Sequence, residues 1–196
     1  EFKEMTLHGK TYKGKALCDQ FDLISRRAYF NREHREKVSK DRDYMWYLWC
    51  GADSPLFGKK KMATFERYFL DDKDVQREES NKYYKLRDDK ATSCKILKEF
   101  ELDPEISHIV NGHVPVKVGK GESPVKAGGK LFVIDGGMSK PYQKVTGIAG
   151  YTLIYDSYSL ILAEHAPFES RRKAIQDEDD IVSTRNMIEH ATKRIS

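Results

Sequence analysis

Cysteine is nearly missing from this chain: Cys18, Cys50 and Cys94 are the only three in 196 residues, and no two stand at CxxC spacing. So odd and scattered a set builds neither a disulfide framework nor a structural zinc site. Free thiols, buried in a reducing cytoplasm, are the expectation. Long hydrophobic runs are missing too. No stretch approaches the roughly 18 apolar residues of a membrane span, so a membrane is not an expected partner, and the opening EFKEMTLHGK is no signal peptide. The chain starts without Met, and we expect it to be a piece of something longer. A strong charge of one sign is also lacking: 35 basic and 31 acidic residues leave a formal +4. With no dense basic stripe interleaved with aromatics, nucleic acid is not expected either. There is no Walker A loop, no GxSxG elbow, no Ser/His/Asp set, no internal repeat and no low-complexity tract.

What is there is wet but foldable. Hydrophobic residues make up 39% and charged ones 34%, and 11 Tyr, 9 Phe and 2 Trp supply much of a modest core. Residues 6–15 alternate around two glycines and predict a short hairpin or loop. Leu17, Phe21, Ile24 and Ala28 then fall at i, i+4, i+7 and i+11, one face of a helix ending near Phe30. Residues 31–43 are charged and predict an exposed helix or linker. The run Tyr44–Cys50 is the most aromatic in the chain and predicts burial, as helix or strand. The turn GADSP stops it.

Met62, Phe65 and Phe69 predict a further helix, with Lys59, Lys60 and Lys61 at or before its start. Lysines there oppose the helix macrodipole. A phosphate ligand is one reason for them; plain solvated charge is the other and the commoner. Residues 71–90 read as a polar excursion, and Cys94, Leu97 and Phe100 mark a helix over 91–100. Two strand-like runs, 148–155 and 160–165, predict a hairpin. A charged tail beyond Pro167 carries one amphipathic helix on Ile181, Ile188, Ala191 and Ile195.

The chemistry gathers between Ile106 and Gly137. One apolar run ends at Asn111-Gly112-His113 and a second at Asp135-Gly136-Gly137. Two strands stopping at glycine turns are how an α/β sheet presents groups at its strand ends. His113 could offer one ring nitrogen to a metal while the other bonds a carbonyl or carboxylate. A hydrogen-bonded structural histidine is the ordinary alternative for a lone Gly-His pair. Asp135 fits a metal ligand, a second-layer acceptor for a histidine, or a turn cap, with the last two weighing more. Gly136 and Gly137 would let backbone amides approach an anion. Helices leading into such strands predict an α/β (α+β layered) domain.

These residues carry a resemblance. HIVNGHVPVK followed by KLFVIDGG is similar to the last metal-binding motif of the calcineurin-like metallophosphoesterases. YMWYLWCGADSPLFGKKKMATFERYF, NKYYKLRDD, the stretch from NGHVPVK to YDSY, and HAPFES resemble the class 3 fructose-1,6-bisphosphatases, bacterial enzymes of gluconeogenesis. The likeness runs from TYKGKAL to at least Ser170. It implies that residues 1–170 are the C-terminal part of a metallophosphoesterase sandwich with helical insertions, including 71–90, and that 171–196 is a charged helical tail. The family's DxH, GDxxDR and GNH motifs are absent here. The resemblance therefore implies that most catalytic residues lie upstream, in a missing N-terminal half that is the expected partner.

Of the metal ligands only His113 carries over, with Asn111, Gly112, Asp135, Gly136 and Gly137 around it. The implied cofactor is manganese in a two-metal site. The implied substrate is a sugar bisphosphate, fructose 1,6-bisphosphate losing its 1-phosphate, and the implied compartment the cytoplasm. Lys59, Lys60, Lys61 and Arg67 are then candidates for the sugar-phosphate end. Two other readings stand: a non-catalytic segment that supports a catalytic half or joins copies into a homo-oligomer, and a phosphatase of the same fold acting on another phosphomonoester.

Overall fold

The computed structural model of the chain describes residues 2–31, 36–51, 54–112, 114–137, 139–147, 150–156, 158–166, 170–178 and 183–190. They divide into two units, Glu1–Leu86 and Arg87–Ser196. In the first, the alternating stretch forms the predicted hairpin. Strand β1 (Glu4–Leu7) pairs antiparallel with β2 (Lys10–Lys13) across His8-Gly9. Both turn residues have positive φ, +49° and +79°, as a two-residue hairpin turn requires if it is to match the strand twist. Gly9 adopts that conformation freely, whereas at His8 it costs roughly 1 kcal/mol or more.

Helix α1 (Gly14–Phe30) buries Leu17, Phe21, Ile24 and Ala28, the face the spacing predicts. It packs on α2 (Glu36–Cys50). Leu7, Leu17, Phe21, Ile24 and Leu48 form the core, with Met5, Tyr12 and Tyr44 against it.

Two expectations are corrected here. The charge of 31–43 predicts an exposed helix or linker, and the stretch is helical from Glu36 with Ser39, Lys40, Arg42 and Asp43 exposed, yet Asp41 on the same helix is fully buried. Its carboxylate accepts a two-pronged bond from Arg27, with Nη2 at 2.7 Å from Oδ1 and Nε on Oδ2, and sits 2.9 Å from His8 Nε2. The aromatic run 44–50 predicts burial, yet Trp46 and Trp49 are 66% and 61% exposed and meet edge-to-face. Helical pitch is the reason. Tyr44 and Leu48, four apart, turn toward the core, which carries Trp46 and Trp49, three apart, to another side.

Beyond α2 the unit has two short helices, α3 (Thr64–Phe69) and α4 (Tyr83–Leu86). Of the expected excursion over 71–90, residues 71–82 make turns and a bridge between Lys59 and Ser80, whereas Arg87 is buried.

The second unit opens with α5 (Lys90–Glu99), capped by Asp89, which accepts from the Thr92 amide and hydroxyl at 2.8 and 2.6 Å. Leu97 is buried on it as expected, whereas Cys94 is only half-buried. Next comes a three-stranded sheet. Strand β3 (Ile109–Asn111) runs parallel to β5 (Leu131–Val133), and β4 (Val125–Lys126) lies antiparallel on the far side of β5. All of β5 is buried, as its uninterrupted apolar sequence demands.

The predicted hairpin follows as β6 (Gly150–Tyr155) and β7 (Ser159–His165), joined through helix α6 (Lys140–Thr146) to the earlier sheet. Asp156 ties the turn by accepting the Tyr158 and Ser159 amides at 2.8 and 2.7 Å. The tail is corrected in part. Residues 171–176 are helix α7 (Arg171–Gln176), but Ser183–His190 is strand β8, antiparallel to β7, rather than helix. A ladder of backbone bonds along β7 outweighs a loose helical spacing. Ile181, Ala191 and Ile195 lie outside the described residues.

Mixed helix and sheet, with one parallel pair among antiparallel ones, agrees with the broad α/β (α+β) class. Among the described residues no helix is long and apolar enough to cross a membrane. The three cysteines are free, but Cys18 is exposed and Cys50 half-buried, so the expected burial does not hold.

Candidate functional site

Parallel pairing of β3 with β5 is what gathers the candidate residues. Ile109 lies opposite Leu131, Val110 opposite Phe132 and Asn111 opposite Val133, so both strands finish at the same end of the sheet. The ladder runs one step further, where the Ile134 amide donates to the Asn111 carbonyl at 2.9 Å. Asn111-Gly112 and Asp135-Gly136-Gly137 thereby emerge side by side. The descending loop closes on them, because the Val116 amide donates to the Asp135 carbonyl at 2.8 Å and Val116 is buried.

Within this turn Asp135 acts as a cap: its Oδ1 accepts the Gly137 amide at 2.8 Å. That bond needs the chain to fold back at once, and Gly137 supplies the left-handed φ of +67°. The Gly137 amide is thus spent on Asp135 and does not point to an anion. Gly112 behaves differently. Its φ is not positive and an added Cβ would meet nothing within 4 Å, so the expected tight turn does not depend on glycine there. His113 lies outside the described residues. His108, just ahead of β3, places Nδ1 3.0 Å from the Gly129 carbonyl and its ring against Phe132, the packing role expected for it. Since a carbonyl only accepts, Nδ1 carries the proton.

The basic candidates are gathered in the first unit, around acids. Lys59 Nζ is 2.6 Å from Glu78, and Arg67 Nη2 reaches the same carboxylate at 3.4 Å. Lys60 pairs with Glu79 at 2.5 Å, and Lys61 donates to the Val75 carbonyl at 2.5 Å. Glu78 also accepts the Ala63 amide at 2.9 Å, and that bond, then Lys59, holds its carboxyl below the usual range. A phosphate at these lysines would compete with Glu78 and Glu79. Among the described residues no group of three His, Cys, Asp or Glu is arranged to hold a metal. A lone carboxylate already capping its own turn does not bind one alone.

The family model for Firmicute fructose-1,6-bisphosphatase matches residues 1–196. The chain belongs to that family. A class 3 fructose-1,6-bisphosphatase of Clostridium botulinum (strain Langeland) is 57% identical over 192 residues, and one of Clostridium novyi is 53% identical over 193. Each match covers 98% of this chain but 29% of the relative, so the chain spans less than a third of the bisphosphatases it matches. No solved structure matches it.

One polar cluster in this bisphosphatase-family chain escaped the sequence. Asp41, Arg27 and His8 meet although 33 residues separate the two ends, and the Tyr44 hydroxyl accepts the His8 amide at 3.1 Å. Nothing in their spacing marks them. Only the packing of α1 on α2, with the hairpin against α1, brings them together.

Proposed function

We propose that this chain is the C-terminal part of an enzyme that hydrolyses the 1-phosphate of fructose 1,6-bisphosphate, giving fructose 6-phosphate and phosphate. The observation carrying this reading is 57% identity to a class 3 fructose-1,6-bisphosphatase along 98% of the chain. The paired ends of β3 and β5 support it, since they bring Asn111 and Asp135 out side by side at one end of the sheet. His113 would be a metal ligand within a metallophosphoesterase sandwich whose remaining parts come from elsewhere in the polypeptide. A pair of manganese ions, when bound, would activate water and neutralise charge on the phosphoryl group.

What this chain's own residues do is position. Asp135, locked by Gly137 and by Val116, holds the floor of the turn, and the Asn111 carbonyl is fixed by Ile134. The enzyme would act in the cytoplasm of a bacterium.

The test is phosphate release by the full-length polypeptide with manganese, from fructose 1,6-bisphosphate and from a panel of other phosphomonoesters. Preference for the bisphosphate, with fructose 6-phosphate as product, is expected. Preference for another ester overturns the substrate. His113→Ala should lower bound manganese and turnover together while leaving the melting temperature of the metal-free protein unchanged; wild-type metal content in that variant would refute the ligand role.

A further inference from the structure

The lysines beside the strand ends divide into two groups. Lys126 pairs with Asp88 at 2.8 Å, and Lys130 donates to the Glu105 carbonyl at 2.8 Å. Lys117, Lys120 and Lys144 are exposed, and their ammonium groups have no carboxylate partner among the described residues. Their roots converge. Val116, whose amide is tied to the Asp135 carbonyl, immediately precedes Lys117. The Lys117 carbonyl accepts the Lys120 amide at 2.8 Å and the Glu122 amide at 3.3 Å, and its own amide donates to Glu122 Oε2 at 3.0 Å. Glu122 is thereby spent on the backbone of the turn.

The turn Val118–Lys120 packs on α6, where a Cβ on Gly147 would sit 3.7 Å from the Gly119 amide. Lys120 follows Gly119 in the chain and Lys144 stands one helical turn before Gly147, so both flank this contact.

We propose that Lys117, with Lys120 and Lys144 at its side, binds the phosphate of the substrate that is not hydrolysed. The assignment rests on the sugar-bisphosphatase reading above. Its physical ground is that a dianionic phosphate attracts an ammonium not already neutralised, on a base held rigidly one residue from the Asp135 clamp. Lys59, Lys60 and Arg67 are each offset by a glutamate in their own unit. The binding is uniform: the remote phosphate is gripped equally in ground and transition states, so it acts on KM and not on kcat.

The experiment is steady-state kinetics of the full-length enzyme with manganese, wild type against Lys117→Met, on fructose 1,6-bisphosphate and on fructose 1-phosphate, which lacks the remote group. Losing one charge-assisted contact should raise KM for the bisphosphate about tenfold or more, with kcat within about twofold. KM for fructose 1-phosphate should stay within about twofold, and Lys117→Arg should recover most of the loss. An unchanged KM, or an equal loss on both substrates, would overturn the role of Lys117 and leave the bisphosphatase reading standing. A wild-type enzyme inactive on the bisphosphate would overturn both.

Discussion

Asp41 shows at residue scale how a buried charge is made tolerable. Its carboxyl is held below the usual range first by the Arg27 bond and then by His8, against the opposing effect of burial. Breaking such a set leaves Arg27 uncompensated and only a quarter exposed. Asp41→Asn should therefore cost about 3 kcal/mol in urea unfolding at neutral pH; a loss under about 1 kcal/mol would show the cluster to be incidental. The sign of the pH dependence follows from the lowered value. Asp41 stabilises above its unfolded value near ~3.9 and loses that contribution as pH falls through the lower folded one, so the two proteins converge in acid.

Tyr151 on β6 is the opposite case. It is 5% exposed and its hydroxyl has no hydrogen-bond partner among the described residues. Burial, helped by the nearby Glu164 carboxylate, pushes it up to about 12. A raised value means stability intact below the unfolded value near ~10 and lost as pH climbs toward the folded one. Tyr151→Phe should leave the protein as stable or about 1 kcal/mol more so at neutral pH, and should remove that alkaline loss. Destabilisation beyond about 1 kcal/mol would reveal a bond to the hydroxyl.

At the scale of elements, α3 is the weak point of the first unit. Six residues long and with none buried, it falls well below the ~12–15 residues at which helices become marginal on their own. Glu78 holds it from outside, bonding the Ala63 amide ahead of the helix and Arg67 within it. Replacing Glu78 with Ala should abolish hydrogen-exchange protection of the Arg67 and Leu70 amides while the α1 amides keep theirs. Protection that survives the change would mean α3 has another support. By contrast β5 is paired on both edges and buried throughout, a well-supported base for the Asp135 turn.

At the scale of the whole molecule, the chain matches its family along its whole length but spans 29% of the Clostridium botulinum relative. Among its described residues no metal-binding group assembles. Expressed alone with manganese and fructose 1,6-bisphosphate it should release no phosphate above background, and turnover near that of the full-length protein would contradict the proposed division of the site. Among the described residues no strand lies along the outer edge of β3, and Val110 on it is 49% exposed. An open edge of this kind is a template for association, so the isolated chain should self-associate as its concentration rises.

Local pattern carried a good deal of this. The α1 face, the His8-Gly9 hairpin, α5 and the β6–β7 hairpin follow from spacing and turn residues, because each is stabilised by neighbours close in sequence. The strand ends at Asn111 and Asp135 were legible as turns for the same reason. What spacing could not reveal depends on partners far along the chain. The burial of Asp41 needs Arg27 and His8, the exposure of Trp46 and Trp49 follows from which side of α2 the core claims, and β8 exists because β7 offers it a ladder. The pairing of Lys59 and Lys60 with Glu78 and Glu79 belongs here as well. A charge shows its sign in the sequence, but whether it is free to meet a ligand is decided by what folds against it.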